Sequence, residues 1–234
     1  MKILYTLSLI LFMASMHGQS SNVDKGPWKQ ENFAGLSFRS IGPAFMSGRI
    51  ADIAIHPHNE NTWYVAVGSG GVWKTVNAGT TWQPIFDNES CYSTGCITID
   101  PSNPSVLWLG TGENVGGRHL SFGDGIFMSP DAGKSWTNMG LEQSEHISKI
   151  IVHPDNSDII WVAAQGPLWS KGGERGVFKS TDGGKNWKQM LGDKEWTGAT
   201  DLLMDPRDPD LLYAATWDRH RTVAAYLGLS LIHI

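Results

Sequence analysis

Two polar segments of the chain combine carboxylates with cationic side chains, which is the mixture that acid–base catalysis and anion binding use. The first segment contains Glu113, Asn114, Arg118 and Asp124, and the second contains Asp218, Arg219, His220 and Arg221. Glu113 and Asp218 are the candidate catalytic carboxylates, while Glu113 and the remaining residues of both segments are candidate ligand contacts. Solvated networks that brace loops use the same residue types, and that interpretation is the commoner one.

Glycoside hydrolysis is the acid–base reaction to consider first, because it needs two separated carboxyl groups or a tyrosine nucleophile assisted by a carboxylate. Glu113 and Asp218 suit the first scheme, and the sequence leaves their separation open. The sequence contains no phosphate-binding glycine loop before a helix, no His-Glu-x-x-His pattern and no paired Cys-x-x-Cys. It therefore implies no cofactor and no metal centre, although loop carboxylates leave Ca²⁺ binding open.

A turn motif that occurs three times indicates the elements that must position these residues. Its copies are Thr75-x-Asn77-x-Gly79-x-Thr81-Trp82, Ser129-x-Asp131-x-Gly133-x-Ser135-Trp136 and Ser180-x-Asp182-x-Gly184-x-Asn186-Trp187. The Asx side chain can accept backbone N–H bonds across the turn, and glycine takes the positive φ that bulkier residues resist. The tryptophans lie 54 and 51 residues apart, a spacing typical of a repeated supersecondary unit. We call these segments the Asx turns.

Each Asx turn belongs to a longer unit that contains three apolar runs before the turn. The first run ends in His-Pro or Asp-Pro, and an aromatic residue seven positions after the proline opens the second. These aromatic residues are Tyr64, Trp108, Trp161 and Tyr213. The third run begins at a glycine, namely Gly71, Gly125 or Gly176. Four short strands in about 40 to 50 residues are the signature of a β-propeller blade.

The sequence thus predicts an all-β propeller with about three and a half four-stranded blades. We place the blades at residues 36–90, 91–143, 144–192 and 193–228, the last of them incomplete. The loops that end the second strands contain Gly68-Ser69, Gly112-Glu113, Gln165-Gly166 and Trp217-Asp218. We expect these loops to lie together on one face near the central channel, where residues that vary between repeats are the better binding candidates.

The N-terminus has the pattern of an export signal. Lys2 is followed by an apolar run as far as Met13 and then by small and polar residues. This pattern predicts a signal peptide over 1–18, a linker over 19–35, and a secreted or periplasmic protein without a membrane span in the mature chain. An oxidising compartment permits a disulfide between Cys91 and Cys96, but Cys96 also fits a buried strand position and Cys91 a free loop thiol.

The composition is that of a globular protein with a slightly acidic charge. Hydrophobic residues make up 41% of the chain, and its 11 tryptophans add enough apolar surface for a substantial core. The formal net charge of −5, without any run rich in Lys or Arg, argues against a nucleic-acid partner.

The Asx turns match the Asp-box, or BNR, repeat, and other segments extend the resemblance. These segments are Phe38-Arg39-Ser-Ile41-Gly42-Pro43, Ser47-Gly48-Arg49-Ile50, Gly110-Thr-Gly-Glu113-Asn114 and the run from Thr216 to Tyr226. They are similar to large secreted bacterial propellers called sortilin-like (Vps10) or "glycosyl hydrolase, BNR repeat" proteins. The resemblance covers residues 36–228 and implies a propeller that binds a protein, peptide or glycan on one face, or that hydrolyses a glycan.

Two details of the resemblance bear on catalysis. Around Gly70-Gly71-Val-Trp73 the chain is similar to xyloglucan-hydrolase propellers, in which an acidic residue two positions before the glycine pair is catalytic. That position is Gly68 here, which argues against hydrolysis. The segment around Arg39 is only loosely similar to the first arginine motif of sialidases, so Arg39 and Arg49 could face a carboxylate ligand or, as is commoner, brace neighbouring blades.

The C-terminal sequence departs from the repeat. After Gly228 we expect a loop, a third strand and a further Asx turn, but the chain continues with Leu229-Ser-Leu-Ile-His-Ile234. We interpret residues 229–234 as a non-native tail on a fragment whose fourth blade lacks its third and fourth strands. The sequence as a whole predicts an exported module that binds a protein, peptide or glycan, and the alternative is a glycoside hydrolase whose site lies partly beyond this fragment.

Overall fold

The structure is a computed structural model that describes Gly35 and residues 48–114, 120–192, 195–221 and 226–233. At residues 219, 220 and 226–233 it describes the path of the backbone. Several sequence predictions lie outside the described residues, namely the signal peptide at 1–18, all of the 19–35 linker except Gly35, and the roles of Arg39 and Arg118.

Short strands make up nearly all of the regular structure in the described residues, with one 3₁₀ helix at Glu142–Ser144. The strands are β1 (Ile50–Ile55), β2 (Trp63–Val67), β3 (Gly71–Thr75), β4 (Gln83–Pro84), β5 (Thr94–Ile99), β6 (Leu107–Thr111), β7 (Ile126–Ser129), β8 (Thr137–Asn138), β9 (Ile147–His153), β10 (Asn156–Ala164), β11 (Gly176–Ser180), β12 (Lys188–Leu191), β13 (Thr197–Asp205), β14 (Asp208–Arg221) and β15 (Tyr226–His233). β-Branched and aromatic residues are frequent in them, since such side chains pack well on a pleated surface.

The strands form four separate antiparallel sheets, one for each repeat unit. Blades 1, 2 and 3 have the orders β1-β2-β3-β4, β5-β6-β7-β8 and β9-β10-β11-β12, and blade 4 has the order β13-β14-β15. Each strand pairs with its neighbour in sequence, as in the meander of a propeller blade. The prediction of an all-β fold built from propeller blades is confirmed.

The first strands of successive blades contact one another in the order β1, β5, β9 and β13. Side-chain hydroxyls reinforce these contacts: Thr98 Oγ1 donates to Ile150 O at 2.8 Å, and Ser148 Oγ donates to Ala199 O at 3.0 Å. The first strands therefore surround the centre of the arc of blades, and the short fourth strands lie at its periphery.

Each blade has two apolar faces, because successive side chains of a strand point to opposite sides of the sheet. We call the side that meets the preceding blade the front face and the side that meets the following blade the back face. The core between blades 1 and 2 joins the back face of blade 1, with Ala54, Tyr64, Ala66, Val72 and Phe86, to the front face of blade 2, with Ile97, Ile99, Leu107, Leu109, Phe127 and Trp136.

The next two interfaces repeat this arrangement at equivalent positions. The front face of blade 3 contains Ile150, Val152, Ile160, Val162 and Phe178, which pack with Cys96, Trp108 and Ile126 of blade 2. The front face of blade 4 contains Leu202, Met204, Leu212 and Ala214, which pack with Trp161, Ala163 and Val177 of blade 3. One packing scheme, front face on back face, thus joins all four blades.

The three Asx turns connect the third and fourth strands of blades 1 to 3. In each turn the hydroxyl of the first residue accepts the glycine N–H, at 2.9 Å for Thr75, 2.8 Å for Ser129 and 2.9 Å for Ser180. The Asx oxygen accepts the N–H of the residue before the tryptophan, at 2.9 Å in every copy. The glycines have φ values of 86°, 87° and 83°, a region that favours glycine.

The tryptophan that ends an Asx turn also joins its blade to the preceding one. Trp136 Nε1 donates to Ile85 O of blade 1, and Trp187 Nε1 donates to Met139 O of blade 2, both at 2.7 Å. Each acceptor lies three residues after the preceding Asx-turn tryptophan. The tryptophans therefore link neighbouring blades as well as beginning the fourth strands.

The fourth blade differs from the sequence prediction. Residues 226–233 form β15, which pairs with β14 in an unbroken register from Arg221↔Tyr226 to Ala214↔His233. The sequence analysis expected no third strand here, whereas the backbone of residues 226–233 pairs with β14. The interpretation of residues 229–234 as a non-native tail stays a prediction. Among the described residues this blade has three strands.

The two cysteines are both free, so the disulfide alternative is not realised. Cys96 is buried in β5 and belongs to the core between blades 2 and 3, whereas Cys91 packs against the core between blades 1 and 2. Their side chains thus belong to opposite sides of the second blade. None of the helical structure in the described part of the chain is long or apolar enough to cross a membrane.

Candidate ligand-binding face

The predicted site residues lie at one end of the sheets, which we call the upper end. In an antiparallel four-stranded blade, the first and third strands begin at the end where the second and fourth strands finish. Gly68, Gly112 and Gln165 directly follow the second strands of blades 1 to 3, and Asp218 of β14 pairs with Thr197 at the start of β13. The Asx turns lie at the opposite, lower end.

Glu113 is the most constrained of the candidate residues. Its side chain has no exposed surface, and Oε1 accepts a hydrogen bond from Arg49 Nε at 2.5 Å and forms an ion pair with Arg49 Nη2. Arg49 directly precedes β1, so this pair joins blade 1 to blade 2. Of the two interpretations of Arg49, bracing between blades is the one that the geometry supports.

The space around the Glu113 carboxylate is closed by the neighbouring blade. A Cβ added to Gly68 would lie 2.6 Å from Glu113 Oε1 and 3.0 Å from Cδ. Glu113 Oε2 has no hydrogen-bond partner among the described residues. Within the described residues, a carboxylate that is buried and paired with an arginine in this way is better suited to joining the two blades than to general acid catalysis.

Hydrogen bonds continue from Glu113 into blade 3. His146 Nδ1 lies 3.0 Å from Glu113 O, and Gln165 N donates to His146 O at 2.9 Å. Gln165 Nε2 donates to Asn114 O at 3.2 Å, and Asn114 Nδ2 donates to Gly95 O at 2.8 Å. The polar residues at the inner side of blades 2 and 3 thus mainly hold main-chain groups of neighbouring loops in place.

Arg175 organises the upper loop of blade 3 and was not predicted from the sequence. Its buried guanidinium donates to Ser170 O and Gly172 O at 2.6 Å, to Gln165 O at 3.1 Å, and also to Pro167 O. Burial lowers the pKa of Arg175, and Glu145 and Asp218 oppose that shift. An arginine with several fixed donors can fold a loop around itself, and a sequence pattern does not show which carbonyl groups it will meet.

The remaining candidates separate into two groups. Asp124 accepts from Ser90 Oγ at 2.5 Å and its main-chain carbonyl accepts from Asn138 Nδ2 at 2.8 Å, so it braces the upper loops around blade 2. In blade 4, Arg221 is buried and its N–H donates to Leu168 O at 2.8 Å, while Asp218 Oδ1 has no hydrogen-bond partner among the described residues. Arg219 and His220 lie in β14, and Arg118 lies outside the described residues.

Among the described residues, the two candidate carboxylates lie on different blades. Glu113 belongs to blade 2 and Asp218 to blade 4, with blade 3 between them in the chain. The two carboxyl groups that the sequence offers for hydrolysis lie on blades that are not neighbours.

Three exposed aromatic side chains at the upper end were missed by the sequence analysis. Tyr92 is 61% exposed in the β4–β5 connection, Phe122 is 71% exposed in the β6–β7 connection, and Trp169 is 60% exposed in the β10–β11 connection. All three connections lie at the upper end. The available signal was an aromatic residue within a predicted loop, where no strand needs it for packing.

Comparisons with known proteins agree with the architecture. No protein-family model matches the chain. In sequence it is similar to the oligoxyloglucan-reducing end-specific xyloglucanase of Emericella nidulans, with 23% identity over 183 residues, which are 71% of this chain and 21% of that protein. A probable enzyme of the same name from Neosartorya fischeri is 22% identical over the same share of each chain. The chain thus spans about a fifth of the length of these curated relatives.

Solved structures give the same result. A crystal structure of an ancestral GH74 enzyme matches with a TM-score of 0.58 and 17% identity, over 78% of this chain and 25% of the other. The GH74 xyloglucanase of Xanthomonas campestris matches with a TM-score of 0.52 and 18% identity, over 70% of this chain and 26% of the other.

The chain is part of a β-propeller. Identities this low establish the fold alone, since one propeller architecture supports many functions. The propeller component of the sequence resemblance is confirmed, and its sortilin-like refinement stays a prediction.

Proposed function

We propose that the chain is part of an exported β-propeller that binds a glycan at its upper end. The observation that carries this proposal is the row of exposed aromatic rings, Tyr92, Phe122 and Trp169, on upper loops that follow one another around the ring. Ligand sites are commonly lined by aromatic side chains together with a few polar groups. The glycan class is supported by the sugar substrate that the names of the two curated relatives state.

The chemistry of a sugar suits these rings. One face of a pyranose ring presents C–H groups, which pack on the flat surface of an aromatic side chain, while its hydroxyl groups remain free for hydrogen bonds. The upper end also contains Asn114 Oδ1 and Asp218 Oδ1, two buried polar atoms that have no hydrogen-bond partner among the described residues. A linear glycan that crosses the upper end could contact aromatic rings of two or three blades at once.

Binding is favoured over hydrolysis by the described residues. Glu113 is enclosed between Arg49 and Gly68, and Asp218 lies two blades away. The glycoside hydrolase alternative requires at least one carboxyl group from outside the described residues. The hydrolase function remains the second candidate because both curated relatives are named as xyloglucanases.

Titration calorimetry with xyloglucan oligosaccharides tests the proposal. We expect Phe122→Ala and Trp169→Ala each to weaken binding by roughly 10- to 100-fold, because each removes a stacking surface. Val76→Ala, a change of an exposed apolar residue at the lower end, is the matched control and should bind as the wild type does. Failure of the wild-type chain to bind any neutral glycan would overturn the proposal.

A second measurement separates the two candidate functions. Reducing-end release from the same oligosaccharides reports hydrolysis directly. Release that persists in Asp218→Asn would place the catalytic groups elsewhere, and release abolished by that change without loss of binding would favour the hydrolase with Asp218 as a catalytic group.

A further inference from the structure

Two lysines from neighbouring blades line one cleft at the periphery of the arc. Lys74 lies in β3 of blade 1, and Lys134 lies in the second Asx turn, which belongs to blade 2. The cleft runs beside β4 and has a volume of about 540 Å³. This size is within the range of roughly 300 to 1,000 Å³ that small-molecule sites occupy. This chain supplies both of the blades that form the cleft.

The Lys74 ammonium group is fixed at the boundary between these two blades. Its Nζ donates to Ala132 O of the second Asx turn at 3.0 Å and lies 5.3 Å from the centre of the Tyr64 ring. Because an ammonium group has several N–H donors, this bond leaves donors for a further acceptor. Lys74 thus has a defined position in the cleft, unlike a lysine whose side chain moves freely in solvent.

The two positive charges lack an ion-pair partner among the described residues. Burial lowers the pKa of Lys74, the Lys134 ammonium group lowers it further, and the Asp131 carboxylate opposes these effects. Asp131 uses its oxygens inside its own turn, where they accept the Ser135 N–H at 2.9 Å and the Ser135 hydroxyl at 2.7 Å. An anionic group between the two lysines would therefore relieve their mutual repulsion.

The rest of the lining suits a ligand that is anionic in one part. Pro84 and Ile85 contribute apolar contact, and Gln83 contributes an amide. Asp87 is the one carboxylate among the lining residues, so the two lysines give the lining a net positive charge. The chain as a whole has a formal net charge of −5, which makes this cleft a local exception.

The cleft between blades 2 and 3 shows that the repeat does not require a lysine pair. It has a similar volume of about 560 Å³ and is lined by Lys185, which occupies the Asx-turn position of Lys134. In blade 2, however, Met128 occupies the β3 position of Lys74, and the first Asx turn has Thr80 at the position of Lys134. Methionine and threonine therefore satisfy the fold at these two positions, and the lysine pair belongs to one cleft.

We propose that the cleft between blades 1 and 2 binds a small ligand through one anionic group, which is held between the ammonium groups of Lys74 and Lys134. The group is a phosphate, sulfate or carboxylate, since each offers several oxygens to the N–H donors of both lysines. The other atoms of the ligand lie along Gln83 and Pro84 of β4. This site is separate from the proposed glycan site, and neither depends on the other.

An NMR titration of the isotope-labelled chain tests this site. The probes are glucose 6-phosphate, glucose 6-sulfate and glucuronate, with glucose as the neutral control, over about 0.1 to 20 mM at constant ionic strength. We expect saturable shifts of the Ala132 and Lys134 amide signals with at least one anion and none with glucose. The anion that binds most tightly identifies the preferred group. If no anion shifts these signals, or if glucose shifts them equally, the proposal is overturned.

Two substitutions that copy other repeats test the lysines themselves. Lys74→Met reproduces the residue at position 128, and Lys134→Thr reproduces the residue at position 80, so both introduce side chains that the fold accepts. Each should weaken binding of the preferred anion by roughly 5- to 30-fold, because a charge-assisted hydrogen bond at a partly exposed site is lost. Unchanged affinity in both variants would contradict the proposal.

Lys185→Thr is the matched control, because it makes the same change at the equivalent lysine of the neighbouring cleft. Its affinity for the anion should equal that of the wild type, and a loss as large as that in Lys134→Thr would show a general effect of charge and overturn the assignment. The amide spectrum of each variant shows whether it is folded. The wild-type titration decides the proposal even if a variant does not fold.

Discussion

The Glu113 carboxylate occupies the space that a side chain at position 68 would need, because a Cβ added to Gly68 would lie 2.6 Å from Glu113 Oε1. The two residues occupy corresponding upper loops in neighbouring blades. Blade 2 therefore supplies the acidic group at this point of the upper end, and the Gly68 position of blade 1 supplies only main chain. Arg49 holds that group in place.

Gly68→Ala should destabilise the protein by about 1 to 3 kcal/mol, because the new methyl group overlaps the Glu113 side chain. Glu113→Ala removes the atoms it would meet, so the cost of Gly68→Ala should fall by at least about 1 kcal/mol in that background. Urea unfolding of the four proteins measures this coupling. Gly35→Ala is the control, because a Cβ there meets no atom within 4 Å. If the effects of the changes at positions 68 and 113 were additive, the described contact would be contradicted.

Arg175→Lys should loosen the upper loop of blade 3, because one ammonium group cannot replace the spread of guanidinium donors on several carbonyl groups. We expect a loss of about 2 to 4 kcal/mol in the free energy of unfolding and faster amide exchange across residues 165–175. Hydrogen exchange read by mass spectrometry locates the effect. Arg207→Lys is the control, because its side chain is 86% exposed, and it should change neither quantity appreciably. Unchanged amide exchange in Arg175→Lys would show that the loop keeps its conformation without the guanidinium bonds.

The Asx turns should contribute a specific acid dependence. Hydrogen bonds from the Ser135 hydroxyl and N–H hold the pKa of Asp131 at about 2, below its ordinary 3.8, and Asn186 does the same for Asp182. A carboxyl group with a lowered folded pKa stabilises the fold above its unfolded pKa, and that contribution is lost as the pH falls from about 4 through about 2. Urea midpoints for Asp131→Asn/Asp182→Asn should therefore fall less over this range than those of the wild type.

Asn77 in the first turn shows that an amide can fill the position, since its Oδ1 accepts from Thr81 N and its Nδ2 donates to Thr81 Oγ1. The double variant should thus stay folded at neutral pH. If its midpoints followed the wild-type curve between pH 4 and pH 2, the two aspartates would have no part in the acid dependence.

The thiols should be unreactive in the folded protein. Burial raises the pKa of Cys91 to about 11 and that of Cys96 to about 12. Since the thiolate is the reactive form, a disulfide reagent at pH 8 should modify neither residue at an appreciable rate until the chain is unfolded. In denaturant without reductant we expect two thiols per chain, and a count of zero would show a disulfide instead.

The parts of this fold that could be predicted are those encoded in short stretches of sequence. Each Asx turn depends on eight consecutive residues. The alternation of apolar and polar residues in β5 and β9 indicates directly which side chains enter a core. The third strand of blade 4 was not predicted, because residues 229–234 depart from the loop, strand and Asx turn of the other repeats, although Tyr226–His233 has the alternation of a strand.

The candidate site was less predictable because its contacts are long-range. Arg49 and Glu113 are 64 residues apart, and no local pattern pairs them. Glu113 was correctly placed in the loop after a second strand, but its enclosure by Gly68 depends on how two blades pack. The exposed rings of Phe122 and Trp169 likewise become a candidate site only because the fold brings their loops to the same end of the sheets.

The bonds from Trp136 to Ile85 and from Trp187 to Met139 give the chain a direction of assembly. Trp136 lies 51 residues after its acceptor Ile85, and Trp187 lies 48 residues after its acceptor Met139. During synthesis, which proceeds from the N-terminus, each new turn therefore emerges when its acceptor has already been made. A ribosome-bound chain can therefore attach each blade to the preceding one as it emerges. This attachment does not require the C-terminus to have been synthesised.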